Sequence, residues 1–171
     1  MTTHTGTTTR ARLWAVVESP VGPLLLTGDE RALTGLRFGD GAARGSWASR
    51  ASWRRDDARF HTEREQLAEY FAGARTAFDV PLRLGGTPFE RRVWEALVAI
   101  PHGTTTTYGE LAVRVGAPGQ ARAVGSANAR NPVAIVVPCH RVIGAGGKLT
   151  GYAGGLERKH ALLAHEGAIL V

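Results

Sequence analysis

The sequence predicts an α+β protein: an N-terminal domain with a small antiparallel sheet plus a helix, then a mostly helical C-terminal domain with a helix-turn-helix and an active-site loop. Two observations predict this class. Short apolar runs of strand character, separated by turns rich in proline and glycine, fill residues 12–38. From residue 87 onward, two helix-start signals and apolar residues at helical spacing predict helices. We therefore divide the chain into a flexible tail at 1–10, a domain at 11–82, a linker at 83–86 and a C-terminal domain at 87–171.

The N-terminal domain begins with three predicted strands, which lie at residues 12–18, 24–27 and 33–38. Residues 39–57 carry small residues, arginine and two tryptophans without a period, so we predict a long loop. Apolar residues recur at helical spacing through residues 59–72, which predicts the helix of this domain. A short edge strand is predicted at residues 78–82.

The C-terminal domain opens on a capping box, since Thr87 precedes a proline and Glu90 follows three residues after the threonine. We predict a helix over residues 88–100. A second capping box at Thr107 and Glu110 opens a shorter helix that ends near Val115, where Gly116 follows.

A further helix is predicted over residues 118–130, halted by Pro132. Two short helices joined by a glycine turn have the outline of a helix-turn-helix, although an ordinary helical hairpin has the same outline. Small residues crowd the second helix around Arg122, namely Ala121, Ala123, Gly125, Ser126, Ala127 and Ala129. Small side chains allow close approach, either of another helix or of a nucleic-acid backbone.

Composition narrows the class of protein. The chain has 171 residues, of which 43% are hydrophobic and 21% are charged, which is typical of a globular protein. It has one cysteine, so it can form no internal disulfide, and a reducing compartment fits best. No apolar run is long enough to span a membrane, and no signal peptide precedes the first strand. We expect a soluble, cytoplasmic protein with no membrane partner.

The charge balance favours a polyanionic partner. Lys and Arg number 21 against 15 Asp and Glu, which gives a formal net charge of +6. Binding of such a surface to phosphates releases counterions. Net charge alone is weak evidence for nucleic acid, because many arginine-rich proteins never bind it.

The single cysteine, Cys139, is the candidate nucleophile. It follows an apolar run at residues 134–137, which we predict as a strand ending at Pro138. His140 and Arg141 come next, and such electropositive neighbours favour the reactive thiolate. The alternative is that Cys139 is a small buried apolar residue of the core.

These residues carry a family resemblance. The motif at 138–142, Pro-Cys-His-Arg-Val, resembles the active-site motif of the O6-alkylguanine-DNA alkyltransferases. Further matching blocks lie in register at 121–125, 131–132, 151–155 and 162–167. The resemblance is good over residues 86–167 and faint, but compatible, over the N-terminal half. It implies direct, irreversible transfer of an alkyl group from O6-alkylguanine in DNA, with base flipping, each molecule acting once.

The resemblance also implies the catalytic residues. Cys139 would accept the alkyl group, His140 would draw the thiol proton through a water, and Glu166 would orient the imidazole. This requires the C-terminal helix to fold back on the active-site loop. Asn131 would hold the turn before Pro132.

The same resemblance implies contacts with the substrate. Tyr108 would donate its hydroxyl to the flipped guanine. The main-chain carbonyls of Cys139 and Val142 would accept from the guanine amine, and Tyr152, Ala153 and Gly154 would lie along the pocket loop. Many relatives have serine where this chain has Ala153, so only a main-chain contact to O6 carries over. The small-residue helix would enter the minor groove, and Arg122 would replace the extruded nucleotide.

The partner implied is double-stranded DNA containing O6-alkylguanine. We expect a monomer in solution, with cooperative loading on DNA left open, as is activity on O4-alkylthymine. We expect no cofactor and no metal, because the N-terminal half has no cysteine and His4 and His61 alone do not make a zinc site.

Two other functions are compatible with the sequence. One is a non-catalytic, lesion-recognising DNA-binding module of the alkyltransferase-like type, whose members lack the cysteine. The other is a cysteine hydrolase, although adjacent Cys and His are unlike the usual hydrolase arrangement and leave the small-residue helix without a role.

Overall fold

The computed structural model describes residues 11–39 and 52–170. The tail at 1–10 and residues 40–51 of the predicted loop lie outside the described residues. The N-terminal domain contains a four-stranded sheet in the order β3-β2-β1-β4. Its strands are β1 (Arg12–Val17), β2 (Leu24–Gly28), β3 (Leu33–Phe38) and β4 (Trp53–Arg55).

The sheet is mixed, which corrects the predicted antiparallel arrangement and the predicted loop. β1, β2 and β3 pair antiparallel as expected, but β4 lies within the predicted loop at 39–57 and runs parallel to β1. Arg12 stacks on the Trp53 ring at 5.5 Å, and Arg55 stacks on the Trp14 ring at the same distance. A strand of three residues is too short to show an alternating pattern, so these cation–π contacts between strands gave no signal in the sequence.

The predicted edge strand at 78–82 is wrong. Only an isolated parallel bridge joins Leu33 to Leu82 there. The adjoining segment is instead held by a side chain of helix α1 (His61–Phe71). Gln66 Nε2 donates to the Asp79 carbonyl at 3.0 Å, and its Oε1 accepts from the Asp79 amide at 2.8 Å. Two backbone hydrogen bonds with Leu33, one to the Pro81 carbonyl and one from the Arg83 amide, and one glutamine side chain therefore hold this segment without a regular strand.

Three helices open the C-terminal domain: α2 (Pro88–Val98), α3 (Tyr108–Arg114) and α4 (Ala121–Ala129). Both predicted capping boxes are present, at Thr87 with Glu90 and at Thr107 with Glu110. Helix α4 begins three residues later than predicted, because residues 118–120 form a turn in which Gly119 has a φ of +80°. Helices α3 and α4 contact each other across this turn, which fits the predicted outline of two short helices joined by a glycine turn.

The apolar run at 134–137 is not a strand, which corrects that prediction. Val136 N donates to the Ala134 carbonyl at 2.8 Å, a tight turn that gives Ile135 a φ of +70°. A β-branched residue rarely adopts a positive φ, so the apolar composition of this run did not predict a turn at Ile135. Only Val133 bridges to the sheet, through Leu36. Ile135 and Val137 are buried in the core and Ala134 and Val136 are half-buried, which explains the apolar composition of the segment without any strand.

The rest of the C-terminal domain returns to the active-site loop. A one-turn 3-10 helix, Cys139–Arg141, leads into β6 (Val142–Ile143), which pairs parallel with β5 (Thr106–Thr107). A second 3-10 turn, Ala145–Gly147, precedes the last helix, α5 (Leu156–His165). Helix α5 folds back and contacts the first 3-10 helix, as predicted.

One hydrophobic core extends through both parts of the molecule. It includes Leu36 and Tyr70 from the N-terminal part and Trp94, Val124 and Leu162 from the C-terminal part, all at most 1% exposed. The candidate nucleophile lies at the edge of this core. Among the described residues, no helix has the length and apolar character needed to cross a membrane.

Candidate active site and DNA-binding helix

Cys139 lies beside a cleft of about 720 Å³ between the two parts of the chain. The residue is 6% exposed, so it is buried without being sealed from the cleft. The cleft is lined by Leu36, Arg37, Phe38, Tyr108, Gly125, Asn128, Ala129, Arg130, Asn131, Ala134, Cys139, Gly151, Tyr152 and Ala153. Several sequence-predicted site residues, from four separate segments, therefore meet around one thiol.

Asn131 fixes the backbone that leads into Cys139. Its Nδ2 donates to the Val137 carbonyl at 2.7 Å, and its Oδ1 accepts from the Val133 amide at 3.0 Å. Beyond this clamp, Cys139 N donates to the Val137 carbonyl at 2.8 Å across Pro138. These bonds hold the 131–139 segment in a compact loop and set the direction of the thiol.

His140 and Glu166 form a buried pair. His140 Nε2 lies 2.8 Å from Glu166 Oε1, and neither side chain is exposed. An ionised carboxylate can only accept, so Nε2 carries the proton and Nδ1 is the basic nitrogen of the neutral ring. Nδ1 has no hydrogen-bond partner within the described part of the chain. Burial lowers the pKa of His140, opposed by the carboxylate of Glu166, so the imidazole is kept neutral.

Glu166 accepts more than this one hydrogen bond. Arg141 donates through Nε at 2.8 Å and through Nη2 at 2.9 Å. The Tyr70 hydroxyl donates at 2.7 Å, and the Gly103 amide at 3.3 Å. Burial alone would raise the pKa of Glu166, but hydrogen bonds from His140 and Arg141 hold it far below its usual range. Glu166 is therefore an anion at neutral pH.

A buried lysine supplies a positive charge that favours the thiolate of Cys139. Burial raises the pKa of Cys139, and the Asn131 side chain and the charge of Lys159 oppose that rise. Lys159 has no exposed surface, and its Nζ donates to the Thr150 carbonyl at 2.9 Å. Nζ also lies 5.9 Å from the centre of the Tyr108 ring. Burial lowers the pKa of Lys159 to about 8, and Cys139 opposes that shift.

The pocket loop is held by the N-terminal sheet. The Tyr152 and Phe38 rings meet edge to face with centroids 5.7 Å apart. Arg158 stacks on the Phe38 ring at 5.2 Å and donates to the Val21 carbonyl and the Gly154 carbonyl at 2.8 and 3.1 Å.

Two predicted pocket residues, Val142 and Gly154, are not among the residues that line the cleft. Val142 is buried in β6, and Gly154 packs against Phe38.

Helix α4 presents its small residues at the cleft and on the surface. Arg122, Ala123, Ser126 and Ala129 are exposed, whereas Ala121 and Gly125 are half-buried. A Cβ on Gly125 would lie 3.6 Å from the Tyr108 ring, which is an ordinary van der Waals contact, so α4 packs on the tyrosine at this position. Among residues 11–39 and 52–170, no cluster of three or more His, Cys, Asp or Glu could hold a metal ion.

Sequence reasoning missed Tyr70, Lys159 and Asn128, and gave Arg141 no role beyond its charge. Tyr70 belongs to the apolar period that predicts its helix, and nothing nearby in the sequence marks its hydroxyl. Lys159 sits among polar residues of α5 and gave no sign of burial. Asn128, whose Nδ2 lies 3.4 Å from the Cys139 carbonyl, is one polar residue among alanines. An asparagine between two alanines of a helix is a signal in the sequence, because a buried amide needs hydrogen-bond partners.

Fold and site together define an α+β protein with one buried cysteine beside a cleft and a helix of small residues at the edge of that cleft. Two family models match the chain: the 6-O-methylguanine DNA methyltransferase ribonuclease-like domain over residues 13–84 and its DNA binding domain over residues 88–168. The chain is 55% identical over 153 residues to the methylated-DNA–protein-cysteine methyltransferase of Mycolicibacterium paratuberculosis, covering 90% of this chain and 91% of that one. It is 51% identical to the protein of the same name from Methanosarcina acetivorans, covering 91% and 98%.

Solved structures agree. The OGT protein of Mycobacterium tuberculosis in complex with DNA superposes with a TM-score of 0.83 at 53% identity, covering 91% of this chain and 92% of that one. The chain therefore belongs to the 6-O-methylguanine-DNA methyltransferase family. It is a DNA-repair enzyme that transfers an alkyl group directly from DNA to a protein cysteine, and DNA is its partner.

Proposed function

We propose that Cys139 accepts the alkyl group from O6-alkylguanine in double-stranded DNA, once per molecule. The single observation that carries this assignment is the position of the chain's one cysteine, beside the cleft and next to the His140–Glu166 pair. A thioether has no easy return path, so the transfer is irreversible.

The reaction divides into two proton movements and one displacement. His140 Nδ1 takes the Cys139 proton through a water, since Nε2 is committed to Glu166. The thiolate sulfur then attacks the alkyl carbon, a C–S bond forms and the C–O6 bond breaks. The electron pair of the broken bond stays on guanine, which gains a proton from Tyr108. The products are S-alkylcysteine and unmodified guanine.

Lys159 supports both ends of this displacement. Its charge lies close enough to oppose the rise in the pKa of Cys139, and its Nζ faces the Tyr108 ring. A cation that acts on both the attacking thiolate and the proton donor stabilises the thiolate and the negative charge that develops on Tyr108. This role is supported by complete burial of the lysine, which strengthens its field.

The base reaches the cleft by flipping. We infer that α4 enters the minor groove, where small residues allow close approach and Arg122 fills the space that the base leaves. Exposure of Arg122, Ala123 and Ser126 on one helix, next to cleft-lining Gly125 and Ala129, supports this arrangement. The carbonyl of Cys139, the amide of Ala153 and the hydroxyl of Tyr108 then bind the purine, with Tyr152 alongside.

We also propose that the protein acts as a monomer in the cytoplasm, with its domain boundary at residues 83–86. The family models end at 84 and begin at 88, which supports that boundary. A single cysteine suits a reducing compartment.

Intact-mass measurement tests the assignment. After incubation with duplex containing O6-methylguanine, the protein should be one methylene heavier, with the change mapped to Cys139. A Cys139→Ser variant should bind the duplex and keep its mass. An unchanged mass for the folded wild-type protein, with binding retained, would indicate the lesion-recognition alternative instead.

A further inference from the structure

Tyr70 joins the N-terminal domain to the candidate catalytic residues. It lies in α1, has no exposed surface, and donates its hydroxyl to Glu166 Oε1 at 2.7 Å. That oxygen is the one that lies 2.8 Å from His140 Nε2. The hydroxyl of the N-terminal domain and the imidazole of the C-terminal domain therefore share one acceptor atom.

The position of Tyr70 is strongly fixed. Its carbonyl lies 2.7 Å from His165 Nε2, and its ring packs against the rings of Phe71, Phe78 and His165 at 4.9 to 5.3 Å. Phenylalanine would fill the same apolar space, so packing alone does not account for a hydroxyl here. What the hydroxyl adds is a hydrogen bond to a buried anion, which is worth more than one to a neutral acceptor.

Because the Tyr70 hydroxyl and the His140 imidazole bind the same oxygen of Glu166, the hydroxyl affects how strongly that oxygen binds the imidazole. Each donor to Oε1 withdraws electron density, so Tyr70 and Arg141 weaken that oxygen as an acceptor for His140. A strong, unshared carboxylate would favour the imidazolium, which cannot accept a proton from Cys139. The other charged or titratable groups around this site are Cys139, Lys159, His102, His165 and Tyr152.

We propose that Tyr70 is a positioning residue of the alkyl-transfer reaction. Its hydroxyl orients the Glu166 carboxylate and limits its pull on His140, so that the ring stays neutral and ready to take the thiol proton. The N-terminal domain thereby contributes to the chemistry as well as to the fold. This inference rests on the proposed roles of His140 and Glu166.

The test compares Tyr70→Phe with wild type in single-turnover transfer from O6-methylguanine duplex across a range of pH. Without the hydroxyl, Glu166 holds the His140 proton more strongly and the imidazolium persists to higher pH. The acid limb of the rate profile should therefore move to higher pH, and the rate near neutrality should fall on the order of tenfold. Affinity for undamaged duplex should not change, because Tyr70 has no exposed surface that could contact DNA.

A matched control separates chemistry from stability. Leu67→Val removes buried volume from the same helix but no hydrogen bond, and its pH profile should match wild type. If Tyr70→Phe folds poorly, 3-fluorotyrosine placed at position 70 keeps the shape and makes the hydroxyl a stronger donor. It should move the acid limb to lower pH, the opposite direction.

Two outcomes overturn different claims. Profiles of Tyr70→Phe and the fluorinated protein that coincide with wild type would overturn the role of Tyr70. A wild-type protein that transfers no alkyl group would instead overturn the proposed function, before any variant is compared.

Discussion

Gly154 lies directly against the ring of Phe38, so closely that a Cβ at residue 154 would sit 2.5 Å from Phe38 Cδ2. Phe38 belongs to β3 of the N-terminal sheet, whereas Gly154 belongs to the loop that carries Tyr152 and Ala153. Arg158 stacks on the Phe38 ring and donates a hydrogen bond to the Gly154 carbonyl. The N-terminal sheet thus sets the position of the pocket loop.

We predict that Gly154→Ala moves this loop. The added methyl must displace either the Phe38 ring or the loop, which costs about 1–3 kcal/mol of unfolding free energy. Alkyl transfer from duplex should slow as well, since the Ala153 amide shifts with the loop. Chemical denaturation and single-turnover kinetics measure both effects. Gly85→Ala is the control, because a Cβ there meets nothing within 4 Å; equal behaviour of the two variants would refute the prediction.

Arg122→Ala should separate base flipping from chemistry. The guanidinium fills the stack after the base leaves, and free O6-benzylguanine needs no flipping. Repair of duplex should therefore slow by tenfold or more, with little change in the rate with free O6-benzylguanine. Arg91→Ala, an exposed arginine on α2, serves as the comparison for loss of one charge. Equal slowing of Arg122→Ala on both substrates would deny Arg122 this role.

Lys159→Met should make the Cys139 thiol less acidic. The charge of Lys159 opposes the burial that raises the pKa of Cys139, so its removal raises that pKa further and lowers the thiolate fraction at neutral pH. We expect transfer near neutrality to slow about tenfold and to recover partly at higher pH. Lys148→Met removes an exposed lysine and should leave the rate unchanged. A Lys159→Met profile that matches wild type would show that the lysine is structural.

Glu166→Gln should cost stability in a pH-dependent way. Loss of the carboxylate leaves Arg141 buried without its partner, which costs about 3–5 kcal/mol at neutral pH. The folded pKa of Glu166 lies below its ordinary value of 4.5, so its stabilisation is complete above 4.5 and declines as the pH falls. The difference between wild type and variant in denaturant unfolding should therefore shrink in acid. The exposed Glu157→Gln provides the control, and a difference that is constant with pH would contradict the assignment.

The sequence predicted features that depend on local chemistry. Each capping box needs only Thr and Glu three residues apart, and both occur as expected. The strands of the first hairpin follow from two apolar runs separated by a turn rich in proline and glycine. Cys139 with its neighbours was recognisable because the motif is contiguous in the sequence.

Features that depend on distant contacts were missed. Tyr70 and Glu166 are separated by 96 positions, and no pattern near either predicts a bond between them. The loop at 134–137 looked like a strand because composition reports burial, not the sign of φ at Ile135. The buried ammonium group of Lys159 donates to the carbonyls of Thr150 and Gly151. These carbonyls reach it only when the loop is folded, so the sequence near Lys159 does not predict its burial.

The most direct test is a titration of a fixed amount of protein with excess O6-methylguanine duplex, in which repaired guanine is counted against S-methylated Cys139. The account predicts that repair stops at one lesion per protein molecule and that the two products rise together. Continued repair beyond one equivalent, or repair without S-methylcysteine, would contradict it and would indicate a hydrolytic mechanism.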